Sequence, residues 1–159
     1  QHQILEKVSD HARETMERMS DLVWMIKSST PVAELHKKMQ QFAIELCEAA
    51  QVEPDLQLAI LSEVSTSMEK AKTIYLVFKE AVNNAVKYSE TGKLQAAATV
   101  TDGMLQLEIR DFGKGFDTAN SPAGNGLNNM KQRAAEVQGT LNLVSVPGEG
   151  TTVTLQLLL

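Results

Sequence analysis

The feature that most constrains this fold is a change of hydrophobic period at Ser89-Glu-Thr-Gly92. Before it, Ile74, Val77, Phe78, Ala81, Val82 and Ala85 recur at helical spacing, so a helix from about Met68 to Tyr88 lays one face on a core. After it, Leu94, Ala96, Ala98 and Val100 alternate, Asp102-Gly103 signals a tight hairpin, and Leu105, Leu107 and Ile109 alternate again. A pair of antiparallel strands is therefore expected directly after a long amphipathic helix. Further on, Leu127 to Val137 reads as a short helix and Thr140 to Val146 as a strand. Thr151 to Leu159 reads as a last strand, reached through the turn Pro147-Gly-Glu-Gly150. Helices in the first half and strands in the second predict an α+β fold. The expected form is a two-layer α/β sandwich with a mixed, mainly antiparallel sheet.

Upstream, residues 1 to about 28 read as a long N-terminal helix. Its stripe of Ile4, Val8, Ala12, Met16, Met19, Leu22, Val23 and Ile26 is broken by neither glycine nor proline. The near-heptad spacing fits one element of a helical hairpin or coiled dimer. Ser28-Ser-Thr-Pro31 is a stop and restart, since a hydroxyl residue suits a helix cap and proline suits a first turn. A second helix follows from about Val32 to Ala50, with Leu35, Met39, Phe42, Ala43, Leu46 and Cys47 on one face. Pro54 is expected to end that region, and Leu56 to Val64 is apolar enough for a strand. The chain opens at Gln1 inside a helical pattern, as an excised piece of a longer protein would. A single cysteine excludes an internal disulfide, and the apolar neighbours of Cys47 make it a buried structural thiol. A net charge of −5 argues against a nucleic-acid partner, which would call for a basic face. No run approaches the roughly 18 apolar residues that a bilayer span requires.

On the Met68–Tyr88 helix, Glu80, Asn84 and Lys87 are spaced i, i+4 and i+7 along one side, flanked by Asn83 and Tyr88. A carboxylate and an amide one turn apart can share a hard cation such as magnesium. A lysine one turn further can meet phosphate oxygens. The bland alternative is the solvated face of an amphipathic helix, and the downstream glycines weigh against it. Gly113 and Gly115 lie in Asp111-Phe-Gly-Lys-Gly115, directly after a strand, where the aspartate can accept from an exocyclic amine such as that of adenine. Gly124 and Gly126 open the 127–137 helix, and helix N-terminal amides are natural anion sites. Gly148 and Gly150 precede Thr151, whose hydroxyl can support the base-binding end, although a plain hairpin turn would explain that pair alone. Neither a Walker-type nor a Rossmann glycine pattern is present. What remains is an acid–amide helix, Asp-X-Gly-X-Gly, Gly-X-Gly at a helix start, and Gly-X-Gly-Thr, and that order is specific.

In that order the motifs resemble the catalytic and ATP-binding domain of sensor histidine kinases. That superfamily, with its Bergerat-type fold, also includes DNA gyrase, the MutL mismatch-repair proteins and the ninety-kilodalton heat-shock chaperones. The likeness is greatest to the nitrate- and membrane-fluidity-sensor subgroup. Phe78-Lys-Glu-Ala-Val-Asn-Asn-Ala-Val-Lys-Tyr-Ser89 is similar to its asparagine box, and Met19-Ser-Asp-Leu-Val-Trp-Met-Ile26 to the end of its dimerisation helix. The resemblance covers essentially all 159 residues. It implies a second dimerisation helix over 1–30 and the catalytic and ATP-binding domain over 31–159. It implies that Asn84 ligates magnesium held by the ATP phosphates, and that Glu80 assists metal or water and polarises the acceptor. Lys87 would face phosphate and Tyr88 the nucleotide. Asp111 would read the adenine amine, with Gly113 and Gly115 shaping that wall and Thr151 supporting the pocket. Gly124, Gly126 and Leu127 would close the phosphate end, beside a short lid from Phe116 to Ala123.

One departure is informative. The family's acceptor box, an arginine-rich helix segment ending in Leu-His-Asp, is missing; His11 is followed by Ala-Arg-Glu and lies too close to Trp24 to match. The resemblance thus implies a protein-histidine kinase domain using ATP and Mg2+. It would donate the γ-phosphoryl to a histidine outside these residues, and thence to a cognate response regulator. The expected setting is the cytoplasmic part of a membrane-bound sensor that is a homodimer at full length, with no nucleic-acid partner. The alternative is a non-catalytic nucleotide-sensing or dimerising module, pseudokinase or anti-sigma-like. Retention of Glu80, Asn84 and Asp111 together argues against the first form, and the kinase-like Trp24 helix against the second. An ATPase of the gyrase or chaperone kind is disfavoured because those carry long extra segments.

Overall fold

The computed structural model describes residues 2–27, 31–119 and 125–159. The chain falls into two units, Gln1–Pro31 and Val32–Leu159. The first unit is the helix α1 (His2–Lys27), on which Ile4, Val8, Met16 and Met19 of the expected stripe are exposed. Arg18 and Glu14 pair across one turn of it at 2.7 Å, an exposed contact of small energetic consequence. Among the described residues no helix is long and apolar enough to cross a membrane. The expected break at 28–30 lies outside the described residues.

The second unit is an α+β sandwich: a five-stranded mixed sheet with helices packed on one face. Its elements are α2 (Pro31–Ala49), β1 (Glu53–Gln57), α3 (Met68–Tyr88), β2 (Lys93–Thr101), β3 (Met104–Asp111), α4 (Asn125–Glu136), β4 (Thr140–Val146) and β5 (Gly150–Leu158). The strand order is β1-β2-β3-β5-β4, with β1 parallel to β2 and every other pair antiparallel. Parallel neighbours need a crossover, and α3 supplies it between β1 and β2. The period change at 89–92 is thus the passage from the crossover helix into the sheet. Asp102-Gly103 closes the β2–β3 hairpin, in which Ala96 faces Ile109 and Ala98 faces Leu107.

One expected strand moves. The apolar run Leu56 to Val64 is not a strand; β1 lies earlier, and Ala59–Glu63 is a 3-10 turn that drops Leu61 into the core beside Leu58. Pro54 sits inside β1 rather than ending the region before it. The physical reason is position: β1 is an edge strand bonded only to β2, so the missing proline N–H costs no ladder bond on the open side. A short apolar run does not distinguish a strand from a buried turn, because both can bury every side chain.

The core sits between the helices and the sheet. α2 buries Leu35, Met39, Ala43 and Cys47, one residue per turn, and burial pushes the Cys47 thiol above its ordinary pKa, away from reactivity. α3 contributes Ile74, Tyr75, Val77, Phe78, Ala81 and Val82, and the sheet contributes Leu94, Leu105, Leu107, Ile109, Leu155 and Leu157. Each such large side chain removed from water stabilises the fold by roughly 1.5–3 kcal/mol. Ser67 caps α3, its side chain accepting from the Lys70 amide at 3.3 Å. Burying one face of α3 fixes the other, so Glu80 and Asn84 turn toward the side where β3, β5 and α4 converge.

Candidate active site

A cleft of about 730 Å³ opens there. Its floor is α3, through Glu80, Asn84 and Tyr88; one wall is the end of β3 and the loop after it, through Asp111, Lys114, Gly115 and Phe116. The start of α4 closes the opposite side with Gly126, Leu127, Met130 and Lys131, and Thr151 and Leu143 line the back. Of the residues singled out from sequence, Glu80, Asn84, Tyr88, Asp111, Gly115, Gly126, Leu127 and Thr151 meet in this one cavity. Lys87 and Gly113 do not line it. Lys87 lies one turn beyond Asn84, and its side chain is exposed. The cations that do line the cleft are Lys114 and Lys131. Gly124 lies outside the described residues, as do residues 120–123 of the expected lid.

At the base end, Asp111 is 4% exposed and ends β3 with its carboxylate turned back over its own loop. Its Oδ1 accepts from the amides of Gly113 at 3.0 Å and Thr151 at 3.3 Å. Among the described residues all hydrogen bonds to this carboxylate fall on Oδ1, which leaves Oδ2 for a donor in the cleft. Burial pushes the Asp111 carboxyl above the usual carboxylate range, and the two amides partly offset that. A buried acceptor with one oxygen already anchored is held rigidly and can accept from a donor in the cleft. Gly113 holds the loop rather than lining the cleft: an added Cβ would run into the carbonyl of Ser89 at the end of α3. Gly150 is equally constrained, with φ at +95° and no space for a Cβ against the Asp111 carbonyl. Its pair with Gly148 is therefore more than a hairpin turn, because the turn carries the strand that braces Asp111.

Sequence reading missed Ser145 and Thr91, whose hydroxyls fasten this wall. Ser145 is 8% exposed; its Oγ accepts from the Phe116 amide at 2.9 Å and lies 2.8 Å from Thr151 Oγ1 and 3.3 Å from the Gly150 carbonyl. Thr91 Oγ1 accepts from the Phe112 amide at 3.0 Å, and the Lys114 amide donates to the Ser89 carbonyl at 2.7 Å. A signal for Ser145 existed: alternation in Thr140–Val146 puts it on the same inward face as Leu141 and Leu143, where an unpaired hydroxyl would be costly.

At the other end, Glu80 and Asn84 lie one helical turn apart beneath the first turn of α4. Among the described residues no three His, Cys, Asp or Glu side chains cluster as a metal cage. One carboxylate and one amide are a donor set for a hard ion that arrives with other ligands of its own, which is how magnesium usually accompanies phosphate.

A buried acceptor, a paired carboxylate and amide, and a helix start around one cleft define a nucleotide-binding domain on a two-layer sandwich. Residues 69–159 match the model of the histidine kinase-, DNA gyrase B- and HSP90-like ATPase family, and the chain belongs to that family. It is similar to sensor histidine kinase LiaS of Bacillus subtilis (strain 168), at 33% identity over 81 residues, which is 50% of this chain and 22% of that one. It is also similar to oxygen sensor histidine kinase NreB of Staphylococcus carnosus (strain TM300), at 35% over 85 residues, 52% of this chain and 24% of that one. The matched region spans less than a quarter of either relative. Among solved structures, the histidine kinase domain of the Erythrobacter litoralis EL346 blue-light-activated histidine kinase superposes with a TM-score of 0.64 at 19% identity, over 79% of this chain and 61% of that one.

Proposed function

We propose that this chain is the ATP-binding catalytic domain of a two-component sensor histidine kinase. It takes ATP with Mg2+ and donates the γ-phosphoryl to a histidine outside these residues, from which it passes to a response regulator. The observation that carries this reading is the two-ended cleft: a buried, half-occupied carboxylate at Asp111 for the adenine amine, and Glu80 with Asn84 under the start of α4 for the phosphates. Asn84 is the residue to hold the ion directly and Glu80 the one to reach it through water. The metal, when bound, supplies charge neutralisation for the triphosphate. Everything else asked of this domain is positioning: Asp111 fixes the base, and Lys114 and Lys131 offer charge to the phosphates. The orphan amides of α4 offer dipole there as well. Transfer through a loose, charge-spread transition state needs little more than alignment and electrostatic stabilisation.

In the same reading α1 pairs with a second copy in the longer protein, which accounts for its exposed apolar residues, and the domain lies on the cytoplasmic side of a membrane-bound sensor. The test is a calorimetric titration with ATP, with and without Mg2+, on this chain and on Asp111→Ala. Saturable binding that strengthens with Mg2+ and is lost in the variant is expected. Absence of binding in the parent chain refutes the nucleotide site. For the transfer step, the longer protein is incubated with γ-labelled ATP. Label stable to base and labile to acid marks phosphohistidine, and Glu80→Gln lowers its rate even at saturating Mg2+-ATP. A variant that transfers at the parental rate removes Glu80 from the chemistry.

A further inference from the structure

Gly126 is the second residue of a 12-residue helix, and its backbone is outside the left-handed region that Gly115, Gly148 and Gly150 occupy. Inside a helix glycine is disfavoured relative to alanine, so the local conformation gives no reason for it here. Space does. A Cβ at 126 would collide with Glu80 Oε1, and would lie 3.2 Å from Glu80 Cδ and 3.6 Å from Asn84 Nδ2. Its three nearest atoms all belong to the two α3 residues assigned to the metal and phosphates, and none to the apolar core.

We infer that Gly126 is a positioning residue for Glu80. By presenting no side chain, it lets the first turn of α4 close on the Glu80 carboxylate and hold it beside Asn84. The inference rests on the nucleotide reading above. The first turn of a helix also carries unpaired amides and the positive end of the dipole, an environment that suits a carboxylate. The colliding atoms are the far end of a flexible side chain. A methyl group at 126 therefore displaces the carboxylate instead of unfolding α4, and the cost falls on the metal-bound nucleotide.

The two accounts of this glycine predict different outcomes. If only helix propensity mattered, Gly126→Ala would steady α4 and leave nucleotide binding alone. The experiment measures the Kd of Mg2+-ATP, and of ATP in EDTA, for the parent chain, Gly126→Ala, Glu80→Ala and the double variant, with a thermal melt of each. Expected is a loss of about fivefold or more in Mg2+-ATP affinity for Gly126→Ala, a size typical of coupling between contacting residues. The loss in EDTA is smaller than with Mg2+, and the melting temperature stays close to the parent. In the Glu80→Ala background the same Gly126→Ala change has little further effect, because the group it displaces is gone. An equal loss in both backgrounds, or no loss in either, overturns the inference while leaving the nucleotide site standing. A parent chain that binds no ATP overturns that site and this inference with it. Should Gly126→Ala alone fail to fold, recovery of folding in the double variant is expected from a collision, and continued unfolding overturns it.

Discussion

Replacing Asp111 by asparagine separates the two roles proposed for this carboxylate. The asparagine Oδ1 can keep both anchoring bonds, from the Gly113 amide at 3.0 Å and the Thr151 amide at 3.3 Å, so the wall of the cleft stays in place. What changes is the group facing the cleft: an acceptor oxygen becomes an NH2 donor, opposed to the amine of adenine. A hydrogen bond to a charged group contributes about 1.5–3 kcal/mol, so ATP affinity should fall by about 10- to 150-fold. The new donor meets the 6-oxo acceptor of guanine, so the preference for ATP over GTP should shrink in the same variant. Calorimetric titration with each nucleotide reads both effects, and a urea melt of the free protein shows that the fold survives. A variant that binds ATP within threefold of the parent, with its preference for ATP intact, would refute Asp111 as the reader of the base.

Three further outcomes follow from the same geometry. Because burial holds the folded-state pKa of Asp111 above its unfolded value, the native state binds the proton more readily, and this group's contribution to stability falls as pH rises between the two values. The stability of Asp111→Asn relative to the parent, from urea melts, should thus be highest near neutral pH and decline toward pH 3; a flat difference would contradict the burial argument. Ser145→Ala leaves the Phe116 amide and the Thr151 hydroxyl without their shared partner, so the protein should lose about 1–3 kcal/mol in chemical denaturation, with weaker ATP binding alongside. Phe78→Ala, at a fully buried position of α3, should cost about 3–5 kcal/mol, measured as a drop in denaturation midpoint at unchanged slope.

Much of this protein is local and was therefore legible along the chain. The period of α3, the alternation of β2 and β3 and the Asp102-Gly103 turn are set by backbone geometry within a few residues, so side-chain order alone reveals them. The line of Glu80 and Asn84 and the Asp111 loop were legible for the same reason, since helical spacing and a strand end are local facts. Tertiary structure decided what depends on distant partners. The open edge beyond β1 is what admits Pro54 into a strand, and the following apolar run forms a turn that buries Leu61. Insertion of β5 between β3 and β4 brings Thr151 to Asp111 and turns Ser145 from one polar residue in a strand into the clasp of the cleft. Lys87 is left in solvent, while Lys114 and Lys131, unremarkable in sequence, arrive at the cleft from a loop and another helix. Gly126 shows the division in a single residue: chain order marks it as part of Gly-X-Gly at a helix start, but the collision of an added side chain with Glu80, 46 positions earlier, exists only in the packed chain, because occupied space is a property of packing and not of order.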